Sequence, residues 1–125
     1  MKQDGTSPYE ALEKIFHEPN RLSIMSAVCA TDEGIAFIDL KEACGLTDGN
    51  LNRHLKVLQE AGAVTLEKTF VDSKPRTTII LSKKGLERFE EYLGALTTVL
   101  KTAKRAIPVE RTRDVSLAAA KMVKA

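Results

Sequence analysis

The chain has 125 residues, of which 43% are hydrophobic and 29% charged, and this fits one compact domain and excludes a disordered chain. No apolar stretch follows the first residues, and no run approaches the roughly 20 apolar residues of a membrane span, so we expect neither a signal peptide nor a membrane protein. Two cysteines are too few for a disulfide scaffold, and we expect a cytoplasmic protein.

The formal net charge of +2 is unevenly distributed along the chain. Residues 1–46 carry four Lys or Arg and eight Asp or Glu, whereas residues 47–84 carry seven and four. Residues 85–125 carry eight basic and five acidic residues, so basic charge is concentrated in the middle and at the end. This asymmetry is compatible with an anionic partner, but most charge blocks are only solvated surfaces.

Two helices are predicted in the first thirty residues. The first is expected to begin at Ser7 and Pro8, which suit an N-cap and the first helical position, and to end before Pro19. Its apolar side would carry Leu12, Ile15 and Phe16. The second is expected from about Asn20 to Ala30. Its buried face would hold Leu22, Met25, Val28 and Cys29.

Capping residues define the next elements. A short apolar segment, residues 35–37, is predicted as one strand rung. Asp39, with Glu42 three residues later, predicts the start of a third helix that ends at Gly45. Thr47 predicts the N-cap of a fourth helix, residues 47–61, and Gly62 follows where a left-handed residue is needed.

A hairpin and a long helix complete the predicted order. Residues 64–70 and 77–81 have strand patterns, and the turn-forming residues Asp72 to Pro75 lie between them. Ser82 predicts the N-cap of a last helix that reaches about Ile107 and is interrupted by Pro108. Residues 109–125 could hold a short helix or be loose.

This order of elements is that of a winged helix-turn-helix. The segment from Phe37 to Val64, and above all Leu51-Asn-Arg-His-Leu-Lys-Val-Leu with the following Ala61-Gly62, resembles the reading head of bacterial and archaeal regulators of the MarR and ArsR type. Residues 68–78 and 81–86 extend the resemblance, which covers roughly residues 10 to 100. It implies a mainly α fold with a small β-hairpin (α+β), and a regulator that binds double-stranded DNA.

Helical geometry agrees with this reading of the fourth helix. Leu51, Leu55 and Leu58 would line its buried face, and the polar residues opposite them suit base edges and phosphates in a major groove. The predicted DNA-binding residues, the last two in a basic wing of residues 71–76, are Thr47, Asn50, Asn52, Arg53, His54, Lys56, Lys74 and Arg76.

His54 has two interpretations at this point. The ArsR-type resemblance implies a phosphate contact, because a histidine precedes the same leucine in those regulators. The alternative is a half-buried histidine bonded to a neighbouring helix, since His54 lies at the edge of the buried face.

The last helix carries apolar residues in alternating steps of three and four, which is a heptad pattern. The predicted interface residues are Leu86, Phe89, Leu93, Leu96, Leu100, Ala103 and Ile107. One interpretation is that this face packs only against the first helix of the same chain. A helix this long outreaches a small winged core, however, and we predict a homodimer that also involves the first helix.

The sequence does not predict a metal site, a cofactor or an enzyme. Cys29, Cys44 and two scattered histidines do not make a four-ligand set, so we expect two buried thiols, with a redox switch left open. Motifs for phosphate-binding loops, zinc proteases and serine hydrolases do not occur in the sequence.

The predicted domain spans residues 8–107, with its dimerisation helix at 82–107 and tails at 1–7 and 108–125. The predicted function is a dimeric repressor that reads a pseudo-palindromic site, with no small-molecule effector identified. The alternative function is a protein–protein interaction module without DNA binding. That module would need an exposed apolar patch on the fourth helix, where Val57 is the candidate.

Overall fold

The structure, a computed structural model, describes residues 13–108. In chain order, its elements are α1 (Pro19–Cys29), β1 (Ile35–Ala36), α2 (Phe37–Cys44), α3 (Asp48–Glu60), β2 (Val64–Val71), β3 (Lys74–Leu81) and α4 (Lys83–Ala106). The three strands form one antiparallel sheet in the order β1-β3-β2. The predicted mainly α fold with a hairpin and a long C-terminal helix is confirmed.

Four predicted helix boundaries are set by local chemistry and are confirmed. The Thr47 hydroxyl accepts a hydrogen bond from the Asn50 amide at 3.2 Å and begins α3. The Ser82 hydroxyl accepts one from the Gly85 amide at 2.8 Å and begins α4. Gly45 and Gly62 follow α2 and α3 with φ of 65° and 78°, a region that favours glycine.

One helix start and one helix end differ from the prediction. The helix α2 begins at Phe37 rather than after Asp39, because the pairing of Ala36 with Thr78 in β3 fixes the chain just before it. Residues 13–18 form a turn rather than the end of a helix, and the amides of Phe16 and His17 both donate to the Glu13 carbonyl. The predicted start at residues 7 and 8 lies outside the described residues.

The hairpin turn is also shorter than predicted. Only Asp72 and Ser73 form the turn, both with positive φ (54° and 66°), which matches the twist of a two-residue hairpin. Lys74 and Pro75 belong to β3, where Pro75 lies opposite Phe70. The tight turn therefore brings the cations of the wing directly beside the end of β2.

An aromatic cluster holds the N-terminal turn against α4. The ring of Phe16 lies 5.3 Å from that of Phe89 and 5.7 Å from that of Tyr92, measured between centroids. The Tyr92 hydroxyl lies 2.8 Å from His17 Nδ1. Phe89 is thus part of the core of its own chain, and its assignment to a dimer interface was wrong. Tyr92, which is fully buried, was missed because it lies outside the heptad pattern.

The prediction of two buried thiols was wrong. Cys29 is exposed and Cys44 is only half-buried. The buried residues of α1 are Ile24, Met25 and Val28, and Leu22 is half-buried. Since α1 has apolar residues around most of its circumference, periodicity alone does not identify which side faces the core.

The end of α3 and the start of α4 meet in a close joint. The Ala63 carbonyl accepts from the Ser82 amide at 3.1 Å, and the Ser82 hydroxyl lies 2.6 Å from the Gly62 carbonyl oxygen. Gly85 packs so closely on this segment that a Cβ added there would overlap the Ala63 carbonyl. The joint therefore needs glycine at residue 85.

Candidate nucleic-acid interface

The helix α3 has one buried face and one polar face. Leu51, Leu55 and Leu58 are at most 1% exposed and anchor the helix in the core. The polar residues predicted to contact DNA from this helix are all exposed: Asn50, Asn52, Arg53 and Lys56. The structure thus brings these four residues and the cap Thr47 onto one accessible helical surface.

Interactions around the first turn of α3 orient its charges. Arg53 donates from Nη2 to the Asn50 side-chain oxygen at 3.1 Å, which holds the guanidinium beside the N-terminal turn. Asp48, whose negative charge would repel a phosphate from this turn, pairs with Lys41 at 2.9 Å. The role of Lys41 could not be predicted from the sequence pattern, because the pair connects two helices, α2 and α3.

His54 is the one predicted DNA-binding residue of α3 that lies inside the protein. His54 is only 6% exposed, and its Nδ1 lies 3.2 Å from Arg21 Nη1 and 3.9 Å from Glu18 Oε1. The phosphate-contact interpretation is therefore corrected in favour of a buried histidine bonded to α1.

The contacts of His54 also indicate its protonation. Since a guanidinium only donates hydrogen bonds, Nδ1 must accept and the ring must be neutral with its proton on Nε2. This Nε2 is buried and has no hydrogen-bond partner among the described residues. Burial lowers the pKa of His54, and the nearby Glu18 carboxylate only partly opposes that effect.

The end of the hairpin forms a second accessible surface. Lys74 and Arg76 are exposed there, as predicted for a basic wing. Between β3 and the start of α2 lies an open cleft of about 430 Å³, with Ile38 and Val71 among its apolar residues. The aromatic side chain of Phe70 is 76% exposed beside the turn. The strand pattern predicted Phe70 only as part of the hairpin.

The apolar positions of α4 divide into two groups. Phe89 is buried and Leu96 packs partly against the core. Four residues spaced seven apart remain 39–54% exposed and are called the exposed stripe: Leu86, Leu93, Leu100 and Ile107. Ala103 is also exposed. Only part of the predicted interface is thus accessible to a second chain.

No helix within residues 13–108 is long and apolar enough to cross a membrane. In the same residues, no three His, Cys, Asp or Glu side chains come together in a group that could hold a metal ion.

Comparisons with known proteins give a consistent result. The profile of the winged helix DNA-binding domain family matches residues 20–100. An uncharacterized protein of Methanocaldococcus jannaschii is 38% identical over 80 residues, which are 64% of this chain and 86% of that protein.

Solved structures with a similar fold include two regulators. A transcriptional regulator homologue from Pyrococcus horikoshii has a TM-score of 0.69 and 29% identity, covering 76% of this chain and 94% of that chain. A MarR-like transcriptional regulator from Thermotoga maritima has a TM-score of 0.58 and 24% identity, covering 82% of this chain and 72% of that chain.

Proposed function

Because the chain belongs to the winged helix DNA-binding domain family, a family of transcriptional regulators rather than enzymes, we propose that it is a dimeric repressor that reads a pseudo-palindromic DNA site. Each protomer places α3 in a major groove, and the wing, residues 71–76, follows the adjacent backbone or minor groove. The two reading helices then lie about one helical turn, roughly 34 Å, apart.

The observation that carries the proposal is the polar surface of α3. Asn52, Arg53 and Lys56 offer amide, guanidinium and ammonium donors on one exposed face. Arginine pairs with the two acceptors of guanine, and asparagine with the donor and acceptor of adenine, so this set suits a major groove. With Asp48 paired to Lys41, the first turn of α3 is also available to a phosphate.

The same surface argues against the protein–protein interaction module. Within α3, all of which the structure describes, Val57 is the one large apolar side chain that is exposed, at 36%. A docking helix needs a contiguous apolar patch, because the apolar area provides the binding free energy. The polar face of α3 does not provide that area.

The exposed stripe of α4 supports the dimer. The helix has 24 residues and is about 36 Å long, and beyond Leu96 nearly all of it lies outside the core of its own chain. A helix without tertiary packing is only marginally stable in water, so this half needs a partner. A seven-residue spacing of apolar side chains is the pattern by which two helices pack along their length.

Selection from a random pool of DNA duplexes tests the proposal. We expect enrichment of an inverted repeat whose half-sites are centred about 10–10.5 base pairs apart. Arg53→Ala should relax the preference at one position in each half-site, whereas the matched control Lys101→Ala, an exposed cation on α4, should select the same sequence. Failure of the parent protein to enrich any sequence contradicts DNA reading and favours the interaction module. Enrichment of a single half-site contradicts the dimer.

A further inference from the structure

The hairpin carries a large aromatic side chain that the core of the chain does not use. The residue pairs Val64–Leu81, Leu66–Ile79 and Phe70–Pro75 lie on one face of the sheet. Near the base of the hairpin this face is buried, and Ile79 is fully enclosed. Phe70 continues the same face beyond the edge of the core, where it is 76% exposed. Its aromatic ring is therefore not explained by the packing of the protomer.

The backbone around Phe70 holds the ring in a defined position. The two-residue turn at Asp72 and Ser73 follows immediately, and Pro75 lies directly across from Phe70. Both features restrict the backbone, so the aromatic ring projects from a short, stiff hairpin end rather than from a flexible loop. A rigid apolar group loses little conformational freedom when it binds.

Positive charge lies on both faces of the hairpin end that carries this aromatic ring. Lys68 shares the face of Phe70, whereas Lys74 and Arg76 flank Pro75 and lie on the opposite face. Within residues 68–76, Asp72 is the single acidic residue. A protein partner that enclosed this hairpin end would have to desolvate these cations, whereas a DNA backbone would pair with them. The charge pattern thus favours a polyanion over an apolar protein surface.

Resting on the proposed DNA binding, we propose that Phe70 is an apolar wedge that enters the minor groove and partly unstacks one base step. Proteins that kink DNA from the minor groove insert Phe, Leu, Ile, Met or Pro between bases while cations hold the flanking phosphates. Pyrimidine–purine steps unstack most easily, so Phe70 adds a sequence preference at a position that α3 does not touch.

The first experiment compares Phe70→Ala with Ile38→Ala. Ile38 is an exposed apolar residue of α2, outside both α3 and the wing, and serves as the matched control. On the selected duplex, Phe70→Ala should lose about 5–50-fold in affinity with an unchanged salt dependence, because no cation is removed. Ile38→Ala should stay within about twofold, and Phe70→Leu should retain most of the affinity because leucine also forms wedges.

The second experiment detects unstacking directly. A 2-aminopurine is placed at successive base steps on the flanks of the site, one step in each duplex, and its fluorescence is read with and without protein. We expect a rise at one step in each half-site with the parent protein and none with Phe70→Ala. This readout uses the parent protein, so it decides the question even if Phe70→Ala does not fold.

The outcomes separate the wedge from the proposed function. The wedge alone is overturned if the parent protein binds the duplex without raising the fluorescence of any 2-aminopurine. It is also overturned if Phe70→Ala binds as tightly as the parent. Unchanged DNA binding by Phe70→Ala with an altered oligomeric state would assign Phe70 to a protein contact instead. Parent protein that binds no duplex overturns DNA binding and the wedge together.

Discussion

A charge placed in the exposed stripe should separate the proposed dimer without unfolding the protomer. Leu93 is 39% exposed in the single chain, so a partner can bury about two fifths of its side chain. Full burial of a leucine is worth about 1.5–3 kcal/mol, so the two copies contribute about 1.2–2.4 kcal/mol to the dimer. Leu93→Glu removes this burial free energy and would bring one carboxylate from each protomer into the proposed interface, where both must be desolvated. Together the two effects should cost about 4 kcal/mol, or roughly 10³-fold in the dimer dissociation constant.

The matched control is Thr98→Glu, which adds the same charge to an exposed position of α4 on the side away from both the exposed stripe and the core. Light scattering gives the oligomeric state, and circular dichroism reports whether the helices persist. On DNA, Leu93→Glu should bind the full inverted repeat no better than a half-site. This is a loss of about 10²–10⁴, because the second reading head no longer adds its effective concentration.

Two results would refute this reasoning. A Leu93→Glu protein that remains dimeric would place the interface elsewhere. An unfolded Leu93→Glu protein beside a folded Thr98→Glu would contradict the claim that the core of the protomer is complete without the exposed stripe.

Three further predictions concern stability and DNA readout. Because burial lowers the native pKa of His54 below 6.5, the unfolded chain binds more protons between the two values. The free energy of unfolding should therefore fall as the pH drops below about 6.5. His54→Gln should flatten this slope in urea titrations, and an unchanged slope would refute the assignment. In thermal melts, Gly85→Ala should lower the free energy of unfolding by about 1–3 kcal/mol through steric overlap. Gly94→Ala, with open space around it, should raise the free energy of unfolding by about 0.5–1 kcal/mol. Equal stability of the two variants would contradict the close joint. In DNA titrations, Arg53→Ala should lose about 1–3 kcal/mol of binding free energy on the selected site only. Lys74→Ala should weaken binding to all sequences alike and reduce the salt dependence of binding by about one unit. The reverse pattern would exchange the roles of α3 and the wing.

The parts of the fold that depend on local chemistry were predictable from the sequence. Thr47, Ser82, Gly45 and Gly62 act within one helical turn, so their positions in the sequence define where the helices begin and end. The spacing of Leu51, Leu55 and Leu58 likewise identified the buried face of α3. The resemblance to winged-helix regulators, which depends on this order of elements, is confirmed by the family match.

The parts that depend on contacts across the chain were not predictable. The start of α2 depends on the pairing of β1 with β3, which is distant in sequence. His54 received two interpretations because its position at the edge of the helical wheel fits both, and only the placement of Arg21 against it decides between them. The heptad pattern of α4 mixes Phe89, which packs in the protomer, with the exposed stripe, since both share a helical period.

The close joint between α3 and α4 has a mechanical consequence. Gly85 packs against the Ala63 carbonyl with no room for a Cβ, and the hydrogen bonds of Ser82 connect the start of α4 to the segment that follows α3. The helix α4 is therefore held rigidly relative to α3. At its length of about 36 Å, a tilt of only about 5° displaces the far end by about 3 Å. In the proposed dimer, any molecule that changes the crossing angle of the two α4 helices by a few degrees would thus move both copies of α3 out of register with the DNA groove without touching α3 itself.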